Sequence, residues 1–344
     1  MFIFLTLSVL TLSTCILLTP LARALAIRKD WYDTPGPLKI HQIPTPRLGG
    51  ATMMAALLLG TVTAPAVLRP SLVVILALLG VWTAGLVDDL RGVPALMRLG
   101  VQMVAAGSLY VAGWSLHWSS IPLLDCATTV LFFALMVNAM NFLDGMDGLA
   151  LMVSSVVATG FILLFAVSAN GPSLWLSCGI LAACVGTLFY NYPPARIFIG
   201  DSGSNLLGAV FAFLYFDWIR TTPGNPSRPA VLLFLALPLI DSLAAIVRRV
   251  RAGFSPLSGD RRHFYDLLRG NGWPIKRILL FSSLATGGFV VVGLVCARGS
   301  INSAMGVVAT VGAALPTAYF LGSFSPAQKE CSQVPISAVG DSCD

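Results

Sequence analysis

Charge is what this chain has least of. Only 10% of its 344 residues are Asp, Glu, Lys or Arg, against about 25% in an average soluble domain, and that shortage excludes an ordinary soluble globule. Histidine is scarcer still, with residues at 41, 117 and 263 only. None is placed to serve Gly200-Asp-Ser-Gly-Ser204 as the base of a serine hydrolase, so that superficial likeness is set aside. The seven cysteines (15, 126, 178, 184, 296, 331 and 343) show neither CxxC nor zinc-type spacing, which excludes a disulfide framework and a metal knuckle. They read as small hydrophobes. No cation precedes the apolar run Phe2–Leu18, and several follow it. Although Ala22-Arg-Ala24 imitates a cleavage site, the run reads as a retained first span with the N-terminus outside.

What is abundant is apolar sequence: 56% of the residues are hydrophobic. Runs of about 18 residues or more, enough to cross a hydrocarbon core of about 30 Å, recur from end to end. The expected fold is all-α and polytopic, with ten to eleven transmembrane helices near 2–18, 48–68, 71–87, 99–113, 121–137, 149–168, 173–190, 204–218, 229–247, 278–297 and 303–322. Residues 1–322 form a single membrane domain, and 323–344 is expected to be a disordered cytoplasmic tail. Only Arg69, Arg220, Arg228 and Arg298 fall in even-numbered loops, which leaves 17 of the 21 Lys+Arg on the odd-numbered loops and the tail. The positive-inside rule makes that side cytoplasmic. The net charge of +6 then reflects topology and anionic headgroups, and nucleic acid is not an expected partner.

The polar chemistry gathers on the same side. Asn138, Asn141, Asp144 and Asp147 recur every three residues, so on one helix they would make a continuous polar stripe. Acids beside a membrane core call for a metal, a bound cation or a transferred proton. Asp88-Asp89 closes the third span, where both carboxylates cannot stay ionised without a cation nearby. The fifth position of that run is Gly92, which speaks against a prenyl-synthase DDxxD. Ser202 or Ser204 is expected to cap the eighth span, leaving N–H groups for a phosphate, and Asp201 beside them would need a divalent ion. Phe198 could stack on a base. Lys39, His41 and Arg47, in a proline-stiffened loop, make a cationic wall for phosphates. Asp241 lies in the ninth span, about 10 Å from its cytoplasmic end. Arg261 and Arg262 concentrate positive charge around His263. A transporter would keep its ionisable groups near the midplane; here they collect at one face, as membrane-surface chemistry on a cytosolic substrate requires.

Taken in order, Lys39-Ile-His41 through Pro46-Arg-Leu-Gly-Gly50, Asp88-Asp89, Asn138 through Gly148, Gly200-Asp-Ser-Gly-Ser204 and Pro238 through Asp266 resemble the polyprenyl-phosphate N-acetylhexosamine-1-phosphate transferase family. The likeness covers residues 33–275. It implies a phosphoglycosyltransferase of the plasma (inner) membrane that passes a sugar-1-phosphate, GlcNAc or another HexNAc, from a UDP-sugar to undecaprenyl or another polyprenyl phosphate and releases UMP, the first membrane step of a cell-envelope polysaccharide. It also implies Mg²⁺, with Mn²⁺ able to substitute. Asp201 matches the family's metal ligand. Asp88 and Asp89 match the pair that deprotonates or positions the lipid phosphate. Asn141, Asp144 and Asp147 match the nucleotide and metal motif, with Asp144 a second metal candidate. Phe198 matches a uracil-stacking position. His263 matches a catalytic histidine, whereas Tyr265 and Asp266 stand where many relatives carry histidines. Ser202, Asn138, Arg261 and Arg262 complete the expected substrate contacts, and a homodimer is an allowed assembly. The alternatives are a phospho-MurNAc-pentapeptide-type transferase and, from another class, a non-catalytic UDP-sugar-binding paralogue or a transporter.

Overall fold

The computed structural model describes residues 2–36, 43–168, 170–255 and 261–299. The chain is an all-α bundle. Its helices are α1 (Phe2–Arg28), α2 (Gly49–Thr63), α3 (Leu72–Arg91), α4 (Ala95–Val111), α5 (Pro122–Leu143), α6 (Leu149–Ser168), α7 (Gly171–Asn191), α8 (Gly200–Thr221), α9 (Ala236–Arg251), α10 (Phe264–Gly270) and α11 (Ile275–Ala297). A 3₁₀ segment, Arg228–Leu235, leads directly into α9. Among the described residues, seven helical segments are long and apolar enough to cross a membrane, and α2 and α4 are shorter apolar helices. The protein is a multi-pass membrane protein.

Ten of the eleven expected spans coincide with helices, α6 residue for residue. The eleventh, 303–322, and the expected tail lie outside the described residues, as do Lys39 and His41. Two features differ from expectation. α1 runs on to Arg28, past Pro20. The seven-residue α10, too short to register as an apolar run, sits in what reads as a charged loop.

Local chemistry accounts for the helix ends. The Ser71 hydroxyl accepts from the Val74 N–H at the start of α3, and Gly92, at φ +71°, ends that helix. Asn170 caps α7 by accepting from Ser173 N–H. Pro122 opens α5, where its missing N–H costs nothing.

α8 is the centre of the bundle. Nearly every residue from Gly200 to Ile219 is buried, which is how a helix behaves when neighbours enclose it on every side. α2, α3 and α5 all pack against it. Small residues set the approach distance: a Cβ at Gly50 would run into the Gly203 backbone of α8, and one at Gly208 would lie 2.5 Å from the Val137 Cα of α5.

The end of the bundle remote from Asp201 is less plain than the short loops there suggest. Asp217, at the far end of α8 and 4% exposed, accepts from Trp114 Nε1 (2.9 Å), Asn170 Nδ2 (2.6 Å) and Ser173 Oγ (2.6 Å). Arg220 pairs with it at 3.3 Å and lies over the Trp114 ring. Nearby, Asp125 accepts from Ser115 Oγ and the Trp118 N–H. These bonds tie α4, α5, α7 and α8 together. Asp201 and Asp217 are about 24 Å apart along the helix.

Candidate active site

The site is assembled around the first turn of α8. Residues 46–50 run beside 198–199: Phe198 N–H donates to Pro46 C=O (2.8 Å), while Gly49 and Gly50 N–H donate to Phe198 and Ile199 C=O (2.9 and 3.0 Å). This pairing sets Arg47 beside Phe198. The Arg47 guanidinium pairs with Asp33. Gly200 then turns the chain into α8 at φ +67°, and a Cβ there would stand 2.5 Å from the Asp89 carboxylate.

That carboxylate is the true cap of α8. Asp89 Oδ1 accepts from Asp201 N–H (2.8 Å), and Oδ2 accepts from Ser202 N–H (3.0 Å) and Ser202 Oγ (2.8 Å). The expectation that Ser202 or Ser204 caps the helix is therefore corrected. Ile199 holds the N-cap position without a side-chain bond, and the acceptor arrives from α3. The N–H groups expected to receive a phosphate face Asp89, and Ser202 is fully buried behind them.

Asp88 points elsewhere. Its Oδ1 accepts from Val93 N–H (2.5 Å), and its Oδ2 from Arg98 Nη1 (2.6 Å). The same Nη1 donates to Asp201 Oδ2 at 2.5 Å. One guanidinium nitrogen thus bridges the ends of α3 and α8.

The Asn138–Asp147 stripe is not one helix face. α5 ends at Leu143 and Asp144 is its C-cap; Gly148, at φ +75°, completes the corner into α6. The two asparagines stay on α5, with Asn138 Nδ2 donating to Gln102 Oε1 (2.9 Å) and Asn141 Nδ2 to Ser204 Oγ (3.2 Å). The aspartates belong to the corner. Asp147 Oδ2 accepts from Ala195 N–H (2.9 Å). Asn191 ties the same corner to the approach to α8, accepting from Gly148 N–H and donating to Ile197 C=O. Half-buried Asp144 has its carboxyl pushed well above the usual range, by burial first and then by the charges of Asp201 and Asp89, with Arg47 working against them.

A second cluster adjoins this corner. His263 Nδ1 and Asp241 Oδ2 lie 2.6 Å apart, both groups buried. Asp241 Oδ1 accepts from Phe264 N–H (2.9 Å). The imidazole stacks on Tyr265 and contacts Phe142. Burial keeps the Tyr265 hydroxyl protonated, its pKa well above the ordinary tyrosine range, and it donates to Phe142 C=O at 2.9 Å. Asp266 caps α10 by accepting from His263 N–H. Tyr265 and Asp266 thus anchor the short helix. Arg261 is exposed and Arg262 half-buried at its approach.

The structure thus brings Asp88, Asp89, Asp144, Asp147, Asp201, Asn138, Asn141, Ser202, Phe198, Arg47 and His263 to one end of the bundle. Sequence reasoning missed Arg98, taken for an orientation charge, and the Asp241–His263 contact. An arginine ten residues after an Asp-Asp pair was the available signal for the first.

The donors suit a hard divalent cation. Asp88 and Asp201 each offer an oxygen to one shared point, with Asp144 close enough to feel Asp201. No preassembled group of three or more metal-binding side chains exists among the described residues. Such a set fits a cation completed by substrate phosphates rather than a closed protein cage.

Residues 71–219, from the cap of α3 almost to the end of α8, match the model of glycosyl transferase family 4. The chain is 34% identical to a decaprenyl-phosphate N-acetylglucosaminephosphotransferase of Mycolicibacterium smegmatis, over 77% of its own length and 75% of the relative's. It is 28% identical to a probable undecaprenyl-phosphate N-acetylglucosaminyl 1-phosphate transferase of Bacillus subtilis, over 77% and 76%. It is also 33% identical to a phospho-N-acetylmuramoyl-pentapeptide-transferase of Moorella thermoacetica, over 69% and 79%. With the Asp88-Asp89, Asn138–Gly148 and Gly200–Ser204 segments all inside the matched region, the chain belongs to glycosyl transferase family 4.

Proposed function

We propose that this protein transfers N-acetylglucosamine-1-phosphate, or a closely related HexNAc-1-phosphate, from a UDP-sugar to a polyprenyl phosphate at the cytoplasmic face of the plasma membrane. The observation that carries this reading is the Asp88–Arg98–Asp201 bridge with Asp144 beside it, a cluster of acids at a helix end able to share a divalent ion with phosphates. The relatives named for this reaction support it. An oxygen of the lipid phosphate attacks the β-phosphorus of the UDP-sugar, the bond from that phosphorus to the bridging oxygen breaks, and UMP leaves with the electron pair.

Mg²⁺, with Mn²⁺ able to substitute, would be held by Asp201 with Asp88 or Asp144 and would neutralise the charge spread over the diphosphate. The protein's own groups position the reactants. Asp89 fixes the first turn of α8 and so aims Asp201. Asp147 and Asn191 hold the corner against the segment leading to α8. With Asp89 engaged as the cap of α8, Asp88 is the carboxylate of the pair that would orient or deprotonate the acceptor phosphate. Arg47 supplies positive charge beside Phe198, whose ring would stack on the uracil. Asp241 orients His263, and Tyr265 sets how closely α10 approaches the corner, which makes this segment the determinant of the sugar. The pentapeptide-type reading has the Moorella relative in its favour.

The test is UMP release by purified protein with undecaprenyl phosphate and a panel of UDP-sugars, including UDP-MurNAc-pentapeptide, with and without EDTA. UMP that requires lipid, metal and UDP-GlcNAc is the expected result, and Asp201→Asn should abolish it while the protein stays folded. Release with the pentapeptide donor alone would select the second reading. Binding of UDP-sugar without any UMP would identify a paralogue without the chemistry.

A further inference from the structure

Arg98 lies in the first turn of α4, where the helix dipole disfavours a cation. A residue kept only for topology would extend into headgroup water. Instead its side chain, 29% exposed, turns inward onto Asp88 and Asp201, which are 15% and 25% exposed. The Val93 N–H on the other oxygen of Asp88 holds that carboxylate in line, and Asp89 holds Asp201 through the backbone of α8. The Asp88 carboxylate is thus fixed by a backbone contact and Asp201 rides on an anchored helix turn, while the arginine is the long, flexible member of the bridge. Nη1 sits at 2.5–2.6 Å from each oxygen, and Mg²⁺ shared by those oxygens needs contacts of about 2.0–2.1 Å. The two cations cannot hold that position together.

We infer that Arg98 is an internal counter-ion that competes with the divalent metal for the Asp88–Asp201 pair, so that the metal binds only by expelling the guanidinium. This rests on the metal-dependent reading above. Expulsion leaves a forked, permanently charged group beside the metal, suited to bidentate capture of a phosphate. Metal entry and phosphate capture thereby become one event.

The experiment measures Mn²⁺ binding to the full-length protein in nanodiscs, by the loss of the free-ion electron paramagnetic resonance signal, with and without UDP-GlcNAc. Arg98→Gln is expected to bind Mn²⁺ on the order of tenfold more tightly than wild type, as removal of a charge-assisted contact of this kind implies, while its UMP-release kcat falls. Arg98→Lys keeps the charge but loses the fork; its affinity should fall between the two, and it decides the matter if Arg98→Gln does not fold. Equal or weaker Mn²⁺ binding in the variants would show that Arg98 organises the carboxylates rather than competing for them, and the metal reading would stand without it. Absence of Mn²⁺ binding in every form, with UDP-GlcNAc present, would remove both.

Discussion

Replacing Asp89 with asparagine separates two roles that adjacent carboxylates could share. Asp89 Oδ1 takes the Asp201 N–H, and Oδ2 takes the Ser202 N–H and hydroxyl. An amide of the same shape keeps one acceptor oxygen and turns an NH₂ toward the other donors. The Ser202 hydroxyl can rotate to accept from it; a backbone N–H cannot. One buried N–H is left unsatisfied in either orientation, at about 1–3 kcal/mol, and the lost charge at the helix start adds about 0.3–1 kcal/mol. Asp89→Asn should therefore destabilise the protein by about 1.3–4 kcal/mol. Asp88→Asn breaks a part-exposed pair with Arg98, which after screening is expected to cost about 0–1 kcal/mol, yet it should abolish turnover. Unfolding in micelles, followed by tryptophan fluorescence, and UMP release measure the two effects. An Asp89→Asn protein as stable as wild type, or an Asp88→Asn protein weakened equally, would refute the division.

Other outcomes follow from the remaining contacts. A methyl at Gly145 would strike the Tyr265 hydroxyl, so Gly145→Ala should impair activity and Gly145→Ala/Tyr265→Phe should recover part of it, a coupling a double-mutant cycle detects. Because burial and neighbouring acids hold the Asp144 carboxyl above its ordinary range, protons compete with metal there. Mn²⁺ affinity should rise with pH, and the slope should flatten in Asp144→Asn. Asp217→Ala leaves four polar partners around a buried site without their acceptor, and about 3–5 kcal/mol of stability should be lost. The protein that remains folded should turn over normally; a kcat defect in that fraction would place Asp217 in the reaction.

Most spans were legible because they are long apolar runs, and α6 matches to the residue. The motif residues were legible as types but not as partners. Asp89 and Ser202 are separated by 113 positions, and nothing local in either segment says that one caps the other. The Asn138–Asp147 spacing points to a helix face, but Gly148 in a left-handed conformation belongs to a corner, so the stripe divides after Leu143. α10 was hidden because seven residues are too few to stand out as an apolar run, although Phe264, Tyr265 and Leu268 pack into the core and Asp241 and Asp266 hold its start. Arg98 was concealed by its own sequence context: a cation on a loop that reads as cytoplasmic satisfies the topology rule whether or not it also turns inward.

The enclosure of α8 has a mechanical consequence. A helix packed on all sides, with its first turn held by Asp89 and its far end by Asp217, cannot shift without breaking contacts on several neighbours together. Asp201 therefore rides on the stiffest part of the molecule and serves as its fixed reference point. His263 stands at the start of the seven-residue α10, whose Phe264, Tyr265 and Leu268 are buried in the core. A bulky nucleotide sugar has therefore to be accommodated by groups other than the α8 carboxylate, which stays still.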